Sequence, residues 1–284
     1  MKILVLGVSG MLGNAMFRVL SESCEHEVWG MARSPAVQKH YGAALASRVE
    51  AGIDVENPDS LASLLERIRP DTVVNCIGLV KQFAQAGDPL QALPINAMLP
   101  HRLARYCALL GARLVHISTD CVFSGARGAY GETDISDAED LYGKSKFIGE
   151  VAYPHTITLR TSIIGHELAS HHGLIEWFLS QTGTVHGYRR VVFSGLPTVE
   201  LSRIVRDAVL PRPTLSGVFH VASAPITKYD LLKLVAQAYG KTIEIVPDDS
   251  VAIDRTLIAD RFRLATGYVA PAWPDLVQLM KNFR

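Results

Sequence analysis

Short runs rich in Val, Ile and Leu alternate with helix-like patterns through the first 160 residues, and this alternation constrains the fold more than any other feature. Runs this brief and apolar are typical of strands buried on both faces, and a helix between two of them makes a βαβ unit. The sequence therefore predicts an α/β fold built on a Rossmann-type, doubly wound parallel sheet. The predicted strands are Ile3–Leu6, Glu27–Met31, Arg48–Ala51, Thr72–Cys76, Arg113–Ile117 and Thr156–Arg160. The predicted helices are Met11–Leu20, Pro58–Ile68, Leu93–Leu110 and Leu141–Val151.

The pattern loosens after residue 160, where longer polar or Gly-containing stretches appear. Helical patterns persist at Leu174–Leu179, Val199–Val209 and Lys228–Ala238, the last behind Thr227 as a plausible N-cap. We predict a Rossmann domain over residues 1–162, to which about 191–223 return, and a smaller C-terminal lobe over 163–284. Because no Pro-, Gly- or Ser-rich linker separates the two, we expect one cooperative unit with a cleft between its lobes.

Composition excludes several classes of protein. The chain has 28 Lys and Arg against 28 Asp and Glu, so it lacks the charge excess of a nucleic-acid binder. No stretch of 18 uncharged apolar residues is present, which argues against a membrane protein. Four scattered cysteines suggest neither a zinc site nor a disulfide framework. The first apolar run is too short for a signal peptide, so the prediction is a soluble, cytoplasmic protein.

A glycine triplet follows the first predicted strand. Gly7, Gly10 and Gly13 form G-V-S-G-M-L-G at the start of a helix, where glycines permit a tight turn and helix N–H groups can bind a pyrophosphate. The spacing is G-x-x-G-x-x-G rather than G-x-G-x-x-G, and a tight turn without a ligand is the alternative. The predicted cofactor-binding residues of this loop are Gly7, Ser9, Gly10, Met11, Leu12 and Gly13.

The second predicted strand ends in M-A-R-S, which places Arg33 and Ser34 beside the adenosine ribose of a dinucleotide. An acidic residue here would bind the 2′-hydroxyl of NAD, whereas an arginine can pair with the 2′-phosphate of NADP. NADP(H) is therefore favoured over NAD(H), the alternative being a solvated surface arginine. Asp54 is a candidate acceptor for the adenine amino group, or it starts the following helix.

Tyr142 and Lys146 lie four residues apart in a helical pattern, so both side chains project from one face. A nearby ammonium would stabilise the tyrosine phenolate and lower its pKa, as acid–base catalysis near neutral pH needs. The same spacing recurs at Tyr229 and Lys233, which lack an upstream strand ending in hydroxyl residues. We interpret Tyr229 as a helix-surface residue.

Hydroxyl and carboxyl groups end the fifth predicted strand. Ligands of open α/β sheets bind at the carboxyl ends of strands, where Ser118, Thr119 and Asp120 should lie. Thr119 can hydrogen-bond a substrate carbonyl and hold it beside Tyr142, although Ser118 and Thr119 could instead cap the next turn. Together with the Tyr–Lys pair, these residues predict reduction of a carbonyl group.

Several segments resemble the extended short-chain dehydrogenase/reductase superfamily, and within it the dTDP-4-dehydrorhamnose reductase branch. The similarity spans nearly the whole chain. The matching segments are G-V-S-G-M-L-G, N-C-I-G, S-T-D-C-V-F-S-G, G-E-T-D, Y-G-K-S-K-F-I-G-E, L-R-T-S-I-I-G, G-V-F-H-V-A-S and T-G-Y-x-x-P-x-W.

The resemblance implies an NADPH-dependent reductase of the 4-keto group of a dTDP- or UDP-type 6-deoxysugar, in surface polysaccharide biosynthesis, and it leaves a homodimer open. It implies that Thr119, Tyr142 and Lys146 are catalytic. Cofactor-proximal positions would be Asn75, Cys76, Gly78 and Ser118, together with Tyr142 and Lys146. Substrate-binding positions would be Val80, Lys81, Asp120, Arg189 and Arg190.

The chain also departs from the branch. I-G-L-V-K-Q-F follows Asn75 where the rhamnose enzymes carry a polar, acidic segment, so the sugar is not specified. The glutamate cluster that binds magnesium in some members is not found, and no metal is predicted. We expect His166, His171 and His172 to be hydrogen-bonded or solvent-facing rather than metal ligands. Alternative functions are a nucleotide-sugar epimerase or dehydratase, or a non-enzymatic NADP-binding regulatory subunit like that of methionine adenosyltransferase.

Overall fold

The computed structural model describes residues 1–81, 84–168, 171 and 173–284. The strands are β1 Lys2–Leu6, β2 Glu27–Ala32, β3 Val49–Ala51, β4 Thr72–Asn75, β5 Arg113–Thr119, β6 Thr156–Thr161, β7 Ile163–Ile164, β8 Thr184–Phe193, β9 Leu196–Pro197, β10 Gly217–His220, β11 Ile226–Thr227 and β12 Glu244–Asp254. The α-helices are α1 Met11–Ser21, α2 Ala43–Ala46, α3 Pro58–Ile68, α4 Pro89–Ala92, α5 Leu99–Leu110, α6 Leu141–Ile148, α7 Leu174–Ser180, α8 Thr198–Ile204, α9 Lys228–Tyr239, α10 Asp260–Thr266 and α11 Trp273–Asn282.

The main sheet is parallel and has the order β10-β6-β5-β4-β1-β2-β3. The chain runs outward from β1 in one direction through β2 and β3, and in the other through β4, β5 and β6. This reversal beside β1 is the switch point at which open α/β sheets leave a crevice for ligands. The predicted Rossmann-type, doubly wound architecture is confirmed.

The C-terminal half contributes to both lobes. Strand β10 is an edge of the main sheet, next to β6, and α8 packs against α1. The other lobe is built on a three-stranded sheet of order β11-β8-β12, with α9 across β8. A Cβ at Gly187 of β8 would lie 2.8 Å from the ring of Tyr229, so helix and strand are in close contact there. Tyr229 is thus half-buried, and its prediction as a simple helix-surface residue is wrong.

Two apolar layers cover the main sheet. One contains α1 and α8, and the other contains α3 and α5. The apolar cluster on the α1 side continues into the second lobe through α9 and α11. Within the part of the chain that the structure describes, no helix has the length and apolar character needed to cross a membrane.

Two predicted helices differ in detail. The helix predicted over Leu93–Leu110 has these bounds but begins with a π-helical segment, Leu93–Met98. The helix predicted to reach Val151 ends earlier, at Ile148. Gly149 follows it and lies against the Asn96 carbonyl, where a Cβ would be 1.9 Å from the oxygen.

A buried ion pair joins the far end of α6 to the main sheet. The Arg160 guanidinium donates to both Glu150 oxygens at 2.8 and 2.7 Å, and each side chain is 5% exposed. The Ser118 hydroxyl donates to the same carboxylate at 2.7 Å. Arg160 also contacts His220 of β10, 3.2 Å away. This network fixes the carboxyl ends of β5 and β6, where candidate site residues lie.

We expect Arg160→Met to lower the free energy of unfolding by about 3–5 kcal/mol, because, within the part of the chain that the structure describes, Ser118 would be the one hydrogen-bond partner left to the buried Glu150 carboxylate. Urea denaturation followed by circular dichroism measures the change. Arg67→Met is the matched control, since Arg67 pairs with Glu50 at the surface and its loss should cost less than about 1 kcal/mol. Equal losses for the two variants would contradict this account of the buried pair.

Candidate active site

The loop between β1 and α1 is shaped by two of its three glycines. Gly7 adopts a φ of +85°, which side chains rarely allow, and a Cβ at Gly13 would lie 2.1 Å from the Gly7 carbonyl oxygen. Gly10 is different, because a Cβ added there would lie no closer than 3.5 Å to any protein atom. Gly7 and Gly13 are therefore needed for the turn itself, whereas the space above Gly10 is open.

This loop fits a pyrophosphate. Gly10 precedes α1 and provides no side-chain cap, so the backbone N–H groups of the first turn, at Met11, Leu12 and Gly13, have no partner within the helix. Free N–H groups at a helix N-terminus attract anions. Ser9 and Gly10 are exposed on the same loop. The tight turn and the uncapped helix N-terminus that such a cradle needs are present.

The predicted adenosine side lies at the end of β2. Arg33 is exposed there, while the Ser34 hydroxyl accepts a hydrogen bond from the Ala36 N–H at 3.3 Å and caps a short 3₁₀ turn. Asp54 is exposed and accepts from the Glu56 N–H at 2.9 Å. It does not start the next helix.

Helix α3 instead begins behind Asn57, whose side chain accepts from the N–H groups of Asp59 and Ser60. That alternative for Asp54 is therefore wrong.

The loop after β4 carries the next group of predicted cofactor residues. Asn75 is fully buried, lies 3.1 Å from His116 Nδ1 and accepts from the Ile77 N–H at 3.1 Å. Burial raises the pKa of the Cys76 thiol to about 12, so it is neutral. A Cβ at Gly78 would lie 3.8 Å from Lys146 Nζ. The loop thus passes directly over the lysine of the Tyr–Lys pair.

Asn96 holds this loop in place, and sequence reasoning missed it. Its side chain accepts from the Leu79 N–H at 2.9 Å and donates to the Leu79 carbonyl at 3.1 Å. It also donates to the Ser145 hydroxyl at 3.2 Å, which links the loop to α6. A single asparagine inside an apolar helical pattern, two residues after Pro94, was the available signal.

Thr119 occupies the end of β5, paired with β6. Its hydroxyl donates to the Asp120 carboxylate at 3.2 Å and accepts from the Cys121 N–H at 3.1 Å. In the structure without ligands, Thr119 therefore caps the next turn, which was the alternative prediction. Ser118 does not cap that turn, because its hydroxyl donates to Glu150 instead.

Tyr142 follows the N-cap Asp140 of α6 and is half-buried. Burial raises its pKa above the usual value, and the neighbouring Cys121 and the carboxylates of Asp120 and Asp140 act in the same direction. Hydrogen bonding with Thr119 opposes them. The predicted lowering of this pKa by an adjacent lysine is wrong for the free chain, because burial outweighs every favourable contact.

Lys146 is buried one turn further along α6. Its ammonium donates to the Ile117 carbonyl at 2.8 Å. Burial lowers its pKa to about 8, with Glu150 acting in the opposite direction. The lysine therefore lies between the end of β5 and the Gly78 loop, where it can contact a ligand that occupies the crevice.

The predicted substrate residues Val80, Lys81 and Asp120 differ in exposure and in their contacts. Val80 is exposed, and Lys81 next to it forms a 2.6 Å ion pair with Asp140. Residues 82 and 83, which complete I-G-L-V-K-Q-F, lie outside the described residues. Asp120 is 9% exposed and directly follows Thr119.

Two predicted substrate arginines lie on β8. Arg189 forms an ion pair with Asp249 on the neighbouring β12, and Arg190 is exposed. None of the contacts among the described residues joins either arginine to Tyr142. The structure therefore does not bring them to the Thr–Tyr–Lys group.

The C-terminal lobe brings two unpredicted cations toward Asp120. Arg255, just after β12, donates to the carbonyls of Phe123 and Ser124 at 2.8 and 3.0 Å. Lys228, at the start of α9, lies over the ring of Phe193, 4.2 Å from its centre. Both cations oppose the rise that burial causes in the pKa of Asp120. Because they come from distant parts of the chain, no local pattern marks them.

Of the three histidines after β7, His166 is hydrogen-bonded and His171 is exposed. His166 lies 2.5 Å from a Glu176 oxygen and 2.8 Å from the Tyr239 hydroxyl. His172 lies outside the described residues. Among the residues that the structure describes, no group of three or more His, Cys, Asp and Glu is placed to hold a metal ion.

A parallel sheet with a glycine cradle at its switch point, and a Tyr–Lys pair beside it, defines a Rossmann-fold oxidoreductase. Comparison with known proteins identifies the family. The profile described as "RmlD substrate binding domain" matches residues 1–257. The chain belongs to this family of extended short-chain dehydrogenases/reductases, as the sequence motifs predicted.

Individual relatives and a solved structure are consistent with this family assignment. The dTDP-4-keto-6-deoxy-D-glucose reductase of Streptomyces niveus is 30% identical over 261 residues, which cover 88% of this chain and 83% of the relative. Methionine adenosyltransferase 2 subunit beta of Rattus norvegicus is 25% identical over 262 residues, with coverage of 84% and 72%. The crystal structure of dTDP-4-dehydrorhamnose reductase from Bacillus anthracis in complex with NADP has the same fold, with a TM-score of 0.80, 20% identity and coverage of 100% and 99%.

Gly10→Ala and Gly13→Ala separate ligand binding from folding. At Gly10 the backbone suits alanine, so we expect a stability loss below about 1 kcal/mol but a clear loss of NADPH affinity. At Gly13 a Cβ would overlap the Gly7 carbonyl, so the chain should be strongly destabilised. Thermal unfolding and fluorescence titration with NADPH measure the two effects. Unchanged NADPH binding by Gly10→Ala would show that the cradle holds no pyrophosphate.

Proposed function

We propose that the chain is an NADPH-dependent reductase of the 4-keto group of a nucleotide-linked 6-deoxysugar of the dTDP or UDP type. The observation that carries the proposal is the convergence of Thr119, Tyr142 and Lys146 at the carboxyl edge of β5, beside the glycine cradle. The relatives named as dTDP-sugar reductases support the substrate class.

Each of the three residues has a separate role in the proposed reaction. A bound NADPH supplies the hydride that reduces the carbonyl carbon. Tyr142 donates its phenolic proton to the carbonyl oxygen, and the phenol is protonated at neutral pH. Burial raises its pKa, which makes the phenol a weaker acid, so release of the proton depends on stabilisation of the phenolate. The Thr119 hydroxyl turns from Asp120 to hold the same oxygen. Lys146, anchored on the Ile117 carbonyl, favours the negative charge that develops as the proton leaves Tyr142.

The proposal also includes a division of the chain near residue 162, where the alternation of strands and helices loosens, and a cytoplasmic location. The family resemblance adds a product used in surface polysaccharides. A homodimer is compatible with it.

Purified protein should oxidise NADPH when it is given dTDP-4-keto-6-deoxyglucose or its UDP counterpart. We expect Tyr142→Phe to lower kcat/KM by about 10²- to 10⁴-fold, because the proton donor is removed. NADPH absorbance measures turnover, and NADPH affinity confirms that the variant is folded. Full turnover by Tyr142→Phe would contradict the proposal. Sugar conversion without net NADPH consumption would favour an epimerase or dehydratase, and tight NADPH binding without any conversion would favour a regulatory subunit.

Preference for NADPH is proposed to depend on Arg33. We expect Arg33→Ala to raise the KM for NADPH by about 10- to 100-fold, because a charged hydrogen bond to the 2′-phosphate is lost. The KM for NADH should stay the same, since NADH has no such phosphate. Steady-state kinetics with both cofactors tests this, and parallel changes in the two KM values would rule out a role in phosphate recognition.

A further inference from the structure

His116 is a buried titratable residue of β5 to which the proposed function assigns no role. It lies three residues before Thr119 and is fully buried. The parallel pairing of β4 with β5 places Asn75 directly beside it. Asn75 is equally buried, so the two polar side chains meet away from water, where each needs a hydrogen-bond partner.

The hydrogen bonds of the Asn75 amide fix its orientation. The Ile77 N–H donates to the amide Oδ1 at 3.1 Å, which leaves the amide Nδ2 facing His116 Nδ1, also at 3.1 Å. An amide nitrogen can only donate, so Nδ1 of the ring is the acceptor. A neutral imidazole that accepts at Nδ1 carries its proton on Nε2. The contact with Asn75 therefore selects one of the two neutral tautomers of His116.

Only the neutral ring of His116 can make this contact, since both nitrogens of an imidazolium are donors. Burial holds the pKa of His116 well below its usual value, and the charges of Lys146 and His101 act in the same direction. The ring is nevertheless costly to bury, because Nε2 has no hydrogen-bond partner in the described part of the chain. Within that part of the chain, the one hydrogen bond of this side chain is the one that it accepts from Asn75.

The loop that Asn75 holds, which follows β4, lies between the glycine cradle and the reactive groups. A Cβ at Gly7 would be 2.9 Å from the side chain of Ile77, so the loop packs against the cradle at this point. One residue further on, a Cβ at Gly78 would be 3.8 Å from Lys146 Nζ. A dinucleotide with its pyrophosphate on the cradle and its nicotinamide beside Lys146 has to cross this loop.

We propose that His116 is a positioning residue for the nicotinamide cofactor: through Asn75 it holds the loop after β4 where the dinucleotide can lie across it. This inference rests on the proposed function in one respect, because it takes the ligand of the crevice to be NADPH. An apolar side chain in place of the ring leaves Asn75 Nδ2 without its acceptor. The amide is then free to rotate, and the Ile77 N–H loses a fixed partner.

Affinity for NADPH, measured by fluorescence titration, tests the inference without any sugar or turnover. We expect His116→Leu to weaken binding by about 10-fold, because the acceptor for a buried amide is lost. His116→Asn should stay within about 3-fold of the wild type, since its Oδ1 is attached where Nδ1 is in histidine and can accept the same hydrogen bond. Circular dichroism confirms that each variant is folded at the temperature of the titration.

Leu114→Ala is the control for a general loss of stability. Leu114 is fully buried on the same strand, two residues before His116. Its truncation leaves a cavity and destabilises the fold, but it leaves the hydrogen bonds of Asn75 in place. We therefore expect Leu114→Ala to bind NADPH with the affinity of the wild type.

A double-mutant cycle shows whether His116 acts through Asn75. Asn75→Leu should weaken NADPH binding by itself. Adding His116→Leu to it should cause no further loss, because the amide that the ring orients is already absent. Additive losses would mean that His116 acts by another route, and they would overturn the inference.

Three other outcomes would also overturn the inference and leave the proposed reductase intact. They are wild-type affinity in His116→Leu, a loss in His116→Asn as large as that in His116→Leu, and an equal loss in Leu114→Ala. If the expected pattern appears in a protein that binds NADPH but reduces no nucleotide-linked 4-keto sugar, the inference stands and the proposed function fails. If the wild type does not bind NADPH, both fail.

Discussion

The backbone contact between Gly13 and the Gly7 carbonyl is the constraint on which the candidate site depends. It brings α1 close to the end of β1, so the free N–H groups of the helix face the switch point of the sheet. The strand order then places β4 and β5 on one side of that point. Asn75 and Thr119 end these two strands, and the cradle and the reactive groups therefore share one edge.

Burial determines the chemistry at this edge. It keeps Tyr142 protonated and lowers the pKa of Lys146 to about 8. In the proposed reaction the tyrosine supplies the proton that the carbonyl oxygen takes up, and because burial opposes its release, the lysine is needed to stabilise the phenolate that remains. The second lobe adds cations near Asp120 through Lys228 and Arg255. The neutral net charge of the chain fits this arrangement, because the charges that matter are local.

The sequence predicted the sheet, the glycine cradle and the Tyr–Lys pair because each depends on short-range spacing along one element. It failed where the outcome depends on contacts between distant segments. The pKa of Tyr142 depends on burial and on groups at residues 119–121, more than 20 residues away, and Arg189 is paired with an aspartate 60 residues away. Lys228 was missed for the same reason, since nothing near it in sequence shows that its charge acts on Asp120. Asn96 was detectable as a lone amide in an apolar helix, but its partner Leu79 was not.

The central claim is that this edge of the sheet passes a hydride from the nicotinamide to the sugar carbonyl while Tyr142 supplies the proton. Single turnover with NADPH carrying deuterium at both C4 positions of the nicotinamide tests it most directly, with the product analysed by mass spectrometry and NMR. The account predicts one deuterium at C4 of the sugar in the product of the wild type, and almost none with Tyr142→Phe over the same time. A product without deuterium at C4, or a label at another carbon, would contradict it.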